Sequence, residues 1–259
     1  MVIGSLFFRR RVGPALVIAL AFVFLMVRSV ADDQIIKTDG STITGSIVSV
    51  SEGQVMVESH ASTGSIVKLP YQIADIKSVS MAVPADVTKA EAQGVAPAAV
   101  IAALEPQVKL FAGLPATWVV EAMAQLGDAY AAAGQADHAL ATYNQISQFY
   151  PGSAYENVAK ASKAKLSLKA GKIDEALAAV QPIVDQANKN IAPSPSDGAL
   201  YAGAFLVYGQ VMEAQKKPQQ ALEAYLTVKT MYYQNPNLVD QASQLAKNLR
   251  EHNPGLGIE

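Results

Sequence analysis

The stretch "LGDAYAAAGQADHALATYNQISQFYP", residues 126–151, decides the fold. Two runs with the apolar spacing of helices flank Gly134. Two helices approach closely only where small residues face each other at the crossing, and Gly127 and Ala139 supply them. Tyr130 and Tyr143 fill the space beside that crossing. Gly134 allows the turn between the helices. Pro151 ends the second helix after Tyr150, because a proline pushes the residue before it out of the helical region. The stretch therefore predicts two helices folded back on each other.

Working outward, the same offsets recur. "AKLSLKAGKIDEALAAVQPI", residues 164–183, gives Ala164, Gly171, Ala176, Val180 and Ile183. Its first helix is degraded, with Lys163 and Ser167 where Leu126 and Tyr130 stand in the first copy. "YGQVMEAQKKPQQALEAYLTV", residues 208–228, gives Tyr208, Gly209, Met212, Ala221 and Tyr225, with Lys217 and Pro218 at the turn. The small residues Ala139, Ala176 and Ala221 are 37 and 45 positions apart. "NIAPSPSDG", residues 190–198, accounts for the wider spacing as an inserted loop. Residues 238–250 are expected to form a solitary closing helix over the last apolar face.

The spacing of Met123, Leu126, Gly127, Tyr130, Gly134, Ala139, Tyr143 and Pro151 resembles the tetratricopeptide repeat, whose period is about 34 residues. Met123 stands where that motif commonly carries tryptophan. The resemblance covers residues 115–254 and implies a solenoid of antiparallel helix pairs; an unrelated alanine-rich bundle is the alternative. It also implies a concave groove lined by the first helix of each pair and used for protein binding. Asp128, Lys165, Lys169, Gln210 and Glu213 would then project into the groove. Lys165, Lys169 and Lys172 fall on one helical face, and a basic groove centre suits an acidic segment or a C-terminal carboxylate. A solvated lysine face explains the same pattern, and the asparagines of the carboxylate-clamp members have no match here.

Residues 34–81 change period. Short β-branched runs alternate with turn pairs at Asp39-Gly40, Glu52-Gly53 and Thr63-Gly64, which predicts five short strands. Gly45 is expected to mark a bend in the second, and residues 70–75 a 3-10 turn before the fifth. "DGSTITGSI" and the closing "IKSV" resemble the Sm-like fold, a small SH3-like barrel whose cytoplasmic members form rings and bind RNA. The helix that precedes the first strand in that family has no counterpart, no Arg-Gly motif is present, and Lys68 and Lys77 are isolated. A β module for packing or protein contact is the expected role. The fold class is thus α+β: a five-stranded β-barrel over residues 32–81, a linker over 82–97 with room for one helical turn, and helical repeats over 98–254, with Pro106 expected to end or kink the first of those helices.

Upstream, Arg9, Arg10 and Arg11 precede an apolar run at 12–27, and Ser29 and Ala31 have the spacing of a signal-peptidase site. Cleavage after Ala31 and a periplasmic or secreted location are expected, with an uncleaved anchor as the alternative. Losing Arg9, Arg10, Arg11 and Arg28 leaves 16 basic against 22 acidic residues, which disfavours nucleic acid and anionic lipid as partners. The chain has no cysteine, so disulfides, thiol catalysis and cysteine-bound zinc are excluded. His60, His138 and His252 show no metal-ligand spacing, and no phosphate loop or nucleophile elbow occurs. Asp32-Asp33 reads as a processing feature, and Tyr232-Tyr233 as a cover for the repeat end or a contact patch. The expectation is a non-catalytic envelope scaffold for protein partners, with no catalytic, cofactor-binding or metal residues. The alternatives are an Sm-like nucleic-acid module or an enzyme with an unrecognised site.

Overall fold

Five strands form one antiparallel sheet in the computed structural model, which describes residues 32–60, 64–92 and 94–257. The expected export signal and the expected cut after Ala31 lie outside the described residues. The strands are β1 (Asp33–Lys37), β2 (Thr42–Ser51), β3 (Gln54–His60), β4 (Ile66–Gln72) and β5 (Ile76–Ser80), in the order β4-β3-β2-β1-β5. A 3-10 turn, Ile73–Asp75, joins β4 to β5.

The turns follow from their residues. Glu52 and Gly53 both take positive φ, 51° and 75°, between the paired Ser51 and Gln54, which is the two-residue hairpin matched to strand twist. At the β1–β2 turn the Asp39 carboxylate accepts from the Ser41 backbone N–H at 2.9 Å and from its hydroxyl at 2.6 Å. Those bonds, with Lys37, hold its pKa down at about 2. β2 pairs with β1 through Gly45 and with β3 from Ser46 onward. At that change of partner a Cβ on Gly45 would lie 2.5 Å from the Glu58 carbonyl oxygen, so the strand bends where only glycine fits. Asp33, half of the Asp32-Asp33 pair read as a processing feature, lies in β1, and its carboxylate accepts from the Ile47 N–H at 2.8 Å.

Nine helices follow among the described residues: α1 (Ala85–Ala90), α2 (Pro97–Phe111), α3 (Thr117–Ala132), α4 (Ala136–Phe149), α5 (Ala154–Lys169), α6 (Ile173–Lys189), α7 (Pro195–Ala214), α8 (Pro218–Met231) and α9 (Pro236–His252). Each packs on the next from α1 to α9, and α3 also touches α5, α5 touches α7, and α7 touches α9. α2 does not end at Pro106. Its buried stripe of Val100, Leu104, Val108 and Phe111 holds the helix together while Pro106 faces solvent. The inserted loop at 190–198 is also smaller than expected, because α7 begins at Pro195 behind the Ser194 cap. The extra spacing lies mostly in helix: α7 has 20 residues against 16 in α5, and α6 has 17 against 14 in α4.

Residues 82–97, expected as a linker, contain α1. Val87 is fully buried in the same cluster as Ile35 and Val57 of the sheet and Leu104 of α2. Gln125 of α3 donates to the Ala90 carbonyl at 2.9 Å. Residues Asp32–Glu259 accordingly cluster as one compact unit. A second core joins α5 through α9, with Tyr201, Leu222 and Tyr225 at its centre. Tyr232 closes this core against the rings of Tyr201 and Phe205, whereas Tyr233 stays exposed.

Candidate functional site

Two of the helix pairs close by one device. A Cβ on Gly127 would stand 2.4 Å from Cε1 of Tyr143, and a Cβ on Gly209 would stand 2.4 Å from Cε1 of Tyr225. Each second-helix tyrosine therefore lies flat on the backbone of the first helix. By the 37-residue offset the middle pair places Ala164 and Val180 there, both fully buried. One added methyl on the first helix is matched by a smaller side chain on the second.

The turns repeat too. Gln135 N–H donates to the Tyr130 carbonyl, Lys172 N–H to Ser167, and Lys217 N–H to Met212, at 2.8, 2.8 and 2.9 Å. These are the six-residue closures of helix C-termini. Each needs one residue at positive φ, and Gly134 (77°), Gly171 (75°) and Lys216 (59°) provide it. Lys216 was not singled out by sequence, since glycine is the usual signal and is absent there.

The ring locks end in carboxylates. The Tyr143 hydroxyl donates to Asp128 at 2.5 Å, and the Ser162 hydroxyl donates to the same oxygen at 3.2 Å, so Asp128 joins α3, α4 and α5. The Tyr225 hydroxyl donates to Glu213. Burial, reinforced by the neighbouring carboxylate, pushes both tyrosine pKa values far above the ordinary range. A further tie that sequence reasoning missed runs from the Tyr155 hydroxyl of α5 to Glu121 of α3 at 2.6 Å.

All five groove candidates line two adjoining cavities. One, about 610 Å³, is walled by Asp128, Ser162, Lys165, Lys169, Leu200 and Gly203, among others. The other, about 430 Å³, is walled by Lys165, Leu168, Lys169, Gln210, Glu213 and Leu245. Lys165 and Lys169 border both. Their electrostatic situation differs from that of the neighbouring lysines: Lys160 pairs with Glu156 at 2.8 Å, Lys172 pairs with Glu175 at 3.2 Å, and Lys163 donates to Asn144 at 2.7 Å. Lys165 and Lys169 are exposed and make no ion pair among the described residues. The groove acids, Asp128 and Glu213, already accept from tyrosine hydroxyls. The arrangement presents two exposed cations at the shared wall of two cavities.

The histidines do not converge. His138 stacks on the Tyr130 ring with centroids 5.1 Å apart, and His252 Nδ1 lies 2.7 Å from the Asn248 carbonyl. Among the described residues no three His, Cys, Asp or Glu side chains gather as a metal site, and no helix is long and apolar enough to cross a membrane. No protein-family model matches the chain, nor does any curated protein or solved structure.

Proposed function

We propose that the chain is an exported, non-catalytic scaffold whose helix pairs form a tetratricopeptide-type solenoid, and that its groove holds an acidic segment of a partner protein. In this reading the β sheet is a small SH3-like barrel that caps the array. The observation that carries it is the unpaired state of Lys165 and Lys169 beside lysines that are engaged. A cation held without a partner at a concave wall attracts a carboxylate at little desolvation cost. Recurrence of the Gly–Tyr lock 82 positions apart, Gly127 with Tyr143 and Gly209 with Tyr225, supports the repeat assignment. On the sheet, Lys68 is engaged with Glu58 at 2.7 Å, which favours protein contact over RNA binding.

The test is capture of a fluorescein-labelled peptide of alternating aspartate and glutamate. Lys165→Glu with Lys169→Glu is expected to weaken it by about tenfold or more, and rising salt to weaken it in the parent chain. Equal capture by parent and double variant would discard the groove assignment. Sequencing the N-terminus of protein recovered from envelopes tests export: a start at Asp32 supports it, and a retained Met1 favours an anchor.

A further inference from the structure

A third cavity lies where the sheet meets α2, α3 and α4. It measures about 790 Å³, within the range of small-ligand sites. The β2–β3 turn and the 3-10 turn form one wall, and α2 and α4 form the other. Val50, Ile73, Val108, Leu126 and Phe149 supply apolar lining. Phe149 is 41% exposed although its ring contacts the Gly113 region, so an aromatic face is left open.

Three carboxamides stand around this lining: Gln72 at the start of the 3-10 turn, and Gln145 and Gln148 three residues apart on one face of α4. None has a hydrogen-bond partner among the described residues. Gln125, Gln181 and Gln244 are engaged, with Ala90, Asp185 and Asn248, whereas Gln107 and Gln220 elsewhere on the helices share the unengaged state; what sets Gln72, Gln145 and Gln148 apart is their gathering around one cavity. The charged lining groups are Glu52, Glu105, Lys109 and His138. Glu105 lies near enough to the Tyr130 hydroxyl to help burial raise its pKa, and one lysine against two glutamates leaves no positive excess. This cavity is therefore unsuited to the acidic segment that suits the groove.

We propose that this cleft binds an extended, uncharged peptide segment, with Gln72, Gln145 and Gln148 reading its backbone and the apolar lining taking its side chains. The chemistry is direct. A carboxamide offers an N–H donor and a carbonyl acceptor together, and an extended backbone presents the complementary N–H and C=O groups. Recognition of this kind carries no net charge and tolerates varied sequence, while apolar side chains add burial at about 25 cal/mol per Å². The proposal stands on different residues from the groove reading and does not depend on it.

The experiment uses the chain as it exists and a fluorescein-labelled, end-blocked hexapeptide of alternating leucine and glycine. Saturable binding is expected, little changed at about 1 M salt, where exposed ionic contacts are screened. Gln145→Ala with Gln148→Ala is expected to weaken it about tenfold, and Gln145→Glu, which keeps the shape but removes the donor, is expected to weaken it as well. Both positions are exposed, so an unchanged melting temperature accompanies these variants. Lys165→Glu with Lys169→Glu is expected to leave the hexapeptide bound as before. No saturable binding, equal binding by the glutamine variants, or displacement of the peptide by a soluble oligosaccharide would overturn the proposal.

Discussion

At Gly127 the fold depends on the absence of one atom. A Cβ placed 2.4 Å from the Tyr143 ring cannot be accommodated without moving that ring or the helix beneath it. Gly127→Ala is therefore expected to destabilise the chain by about 1–3 kcal/mol, despite alanine's better helix propensity. Urea unfolding checks this, and an unchanged midpoint would remove the lock. Lys216 makes the opposite case. It holds φ at 59°, where a side chain costs about 1–2 kcal/mol and glycine costs nothing. Lys216→Gly gives back part of that through unfolded-state entropy, about 0.4–1 kcal/mol. The expected result is a gain of up to about 1 kcal/mol, read as a higher denaturant midpoint at constant slope. Gly127 was legible because its spacing to Ala139 and Tyr143 is local. The Asp33 bond to Ile47 was not, because its partner is set by the pairing of β1 with β2.

Among elements, tyrosine hydroxyls do the fastening. The Gly113 N–H donates to the Tyr150 hydroxyl at 3.0 Å, and that hydroxyl donates to the Leu114 carbonyl at 3.0 Å, so the end of α4 is tied to the α2–α3 turn. Tyr155 ties α5 to α3 through Glu121. Burial pushes the pKa of each up to about 12, with Glu121 adding to the effect at Tyr155. A phenol whose folded value lies above its unfolded value of about 10 contributes stability that is fully present below pH about 10 and is lost as pH rises toward about 12. Thermal melting is expected to decline steeply across that window, and Tyr155→Phe is expected to make the decline shallower. A slope unchanged by Tyr155→Phe would mean that the bond to Glu121 contributes nothing to it. Element order and most boundaries were legible from periodicity and from Gly and Pro punctuation. The run of α2 through Pro106 was not, since the stripe that holds it is buried by α1 and α3, which no local pattern reveals.

For the whole molecule, α1 matters more than its six residues suggest. Val87 and Ala90 are buried among sheet and helix side chains, so the segment between them is part of a shared core. Heating is expected to give one transition for the sheet and α1–α4 together, and limited proteolysis is expected not to release the sheet as a fragment. Val87→Ala is expected to lower that transition by an amount equivalent to about 1–3 kcal/mol. A separate sheet transition, unmoved by this change, would restore a two-module picture. The sequence allows one helical turn here but not its burial, because Ala, Pro and Gly dominate residues 82–97 and so short a helix leaves too few positions to show a period. The residues that line the two adjoining cavities, Asp128, Lys165, Lys169, Gln210 and Glu213, were legible by their offsets. The cleft lined by Gln145 and Gln148 was not, because its opposite wall comes from the sheet.

The middle helix pair has neither a ring laid on glycine nor a tyrosine hydroxyl bonded to a carboxylate within the pair; Ala164 and Val180 are buried there instead, and the only such tie is a long one from the Ser167 hydroxyl to Glu175 at 3.5 Å among the described residues. Lys165 and Lys169 belong to that same pair. Stiffness along the chain is thus expected to be uneven, two braced levers about a more compliant joint that carries the cations, with amide hydrogen exchange faster in α6 than in α4 or α8. A ligand drawn across both cavities would set the angle between the levers, so that occupancy at the centre is transmitted outward as curvature.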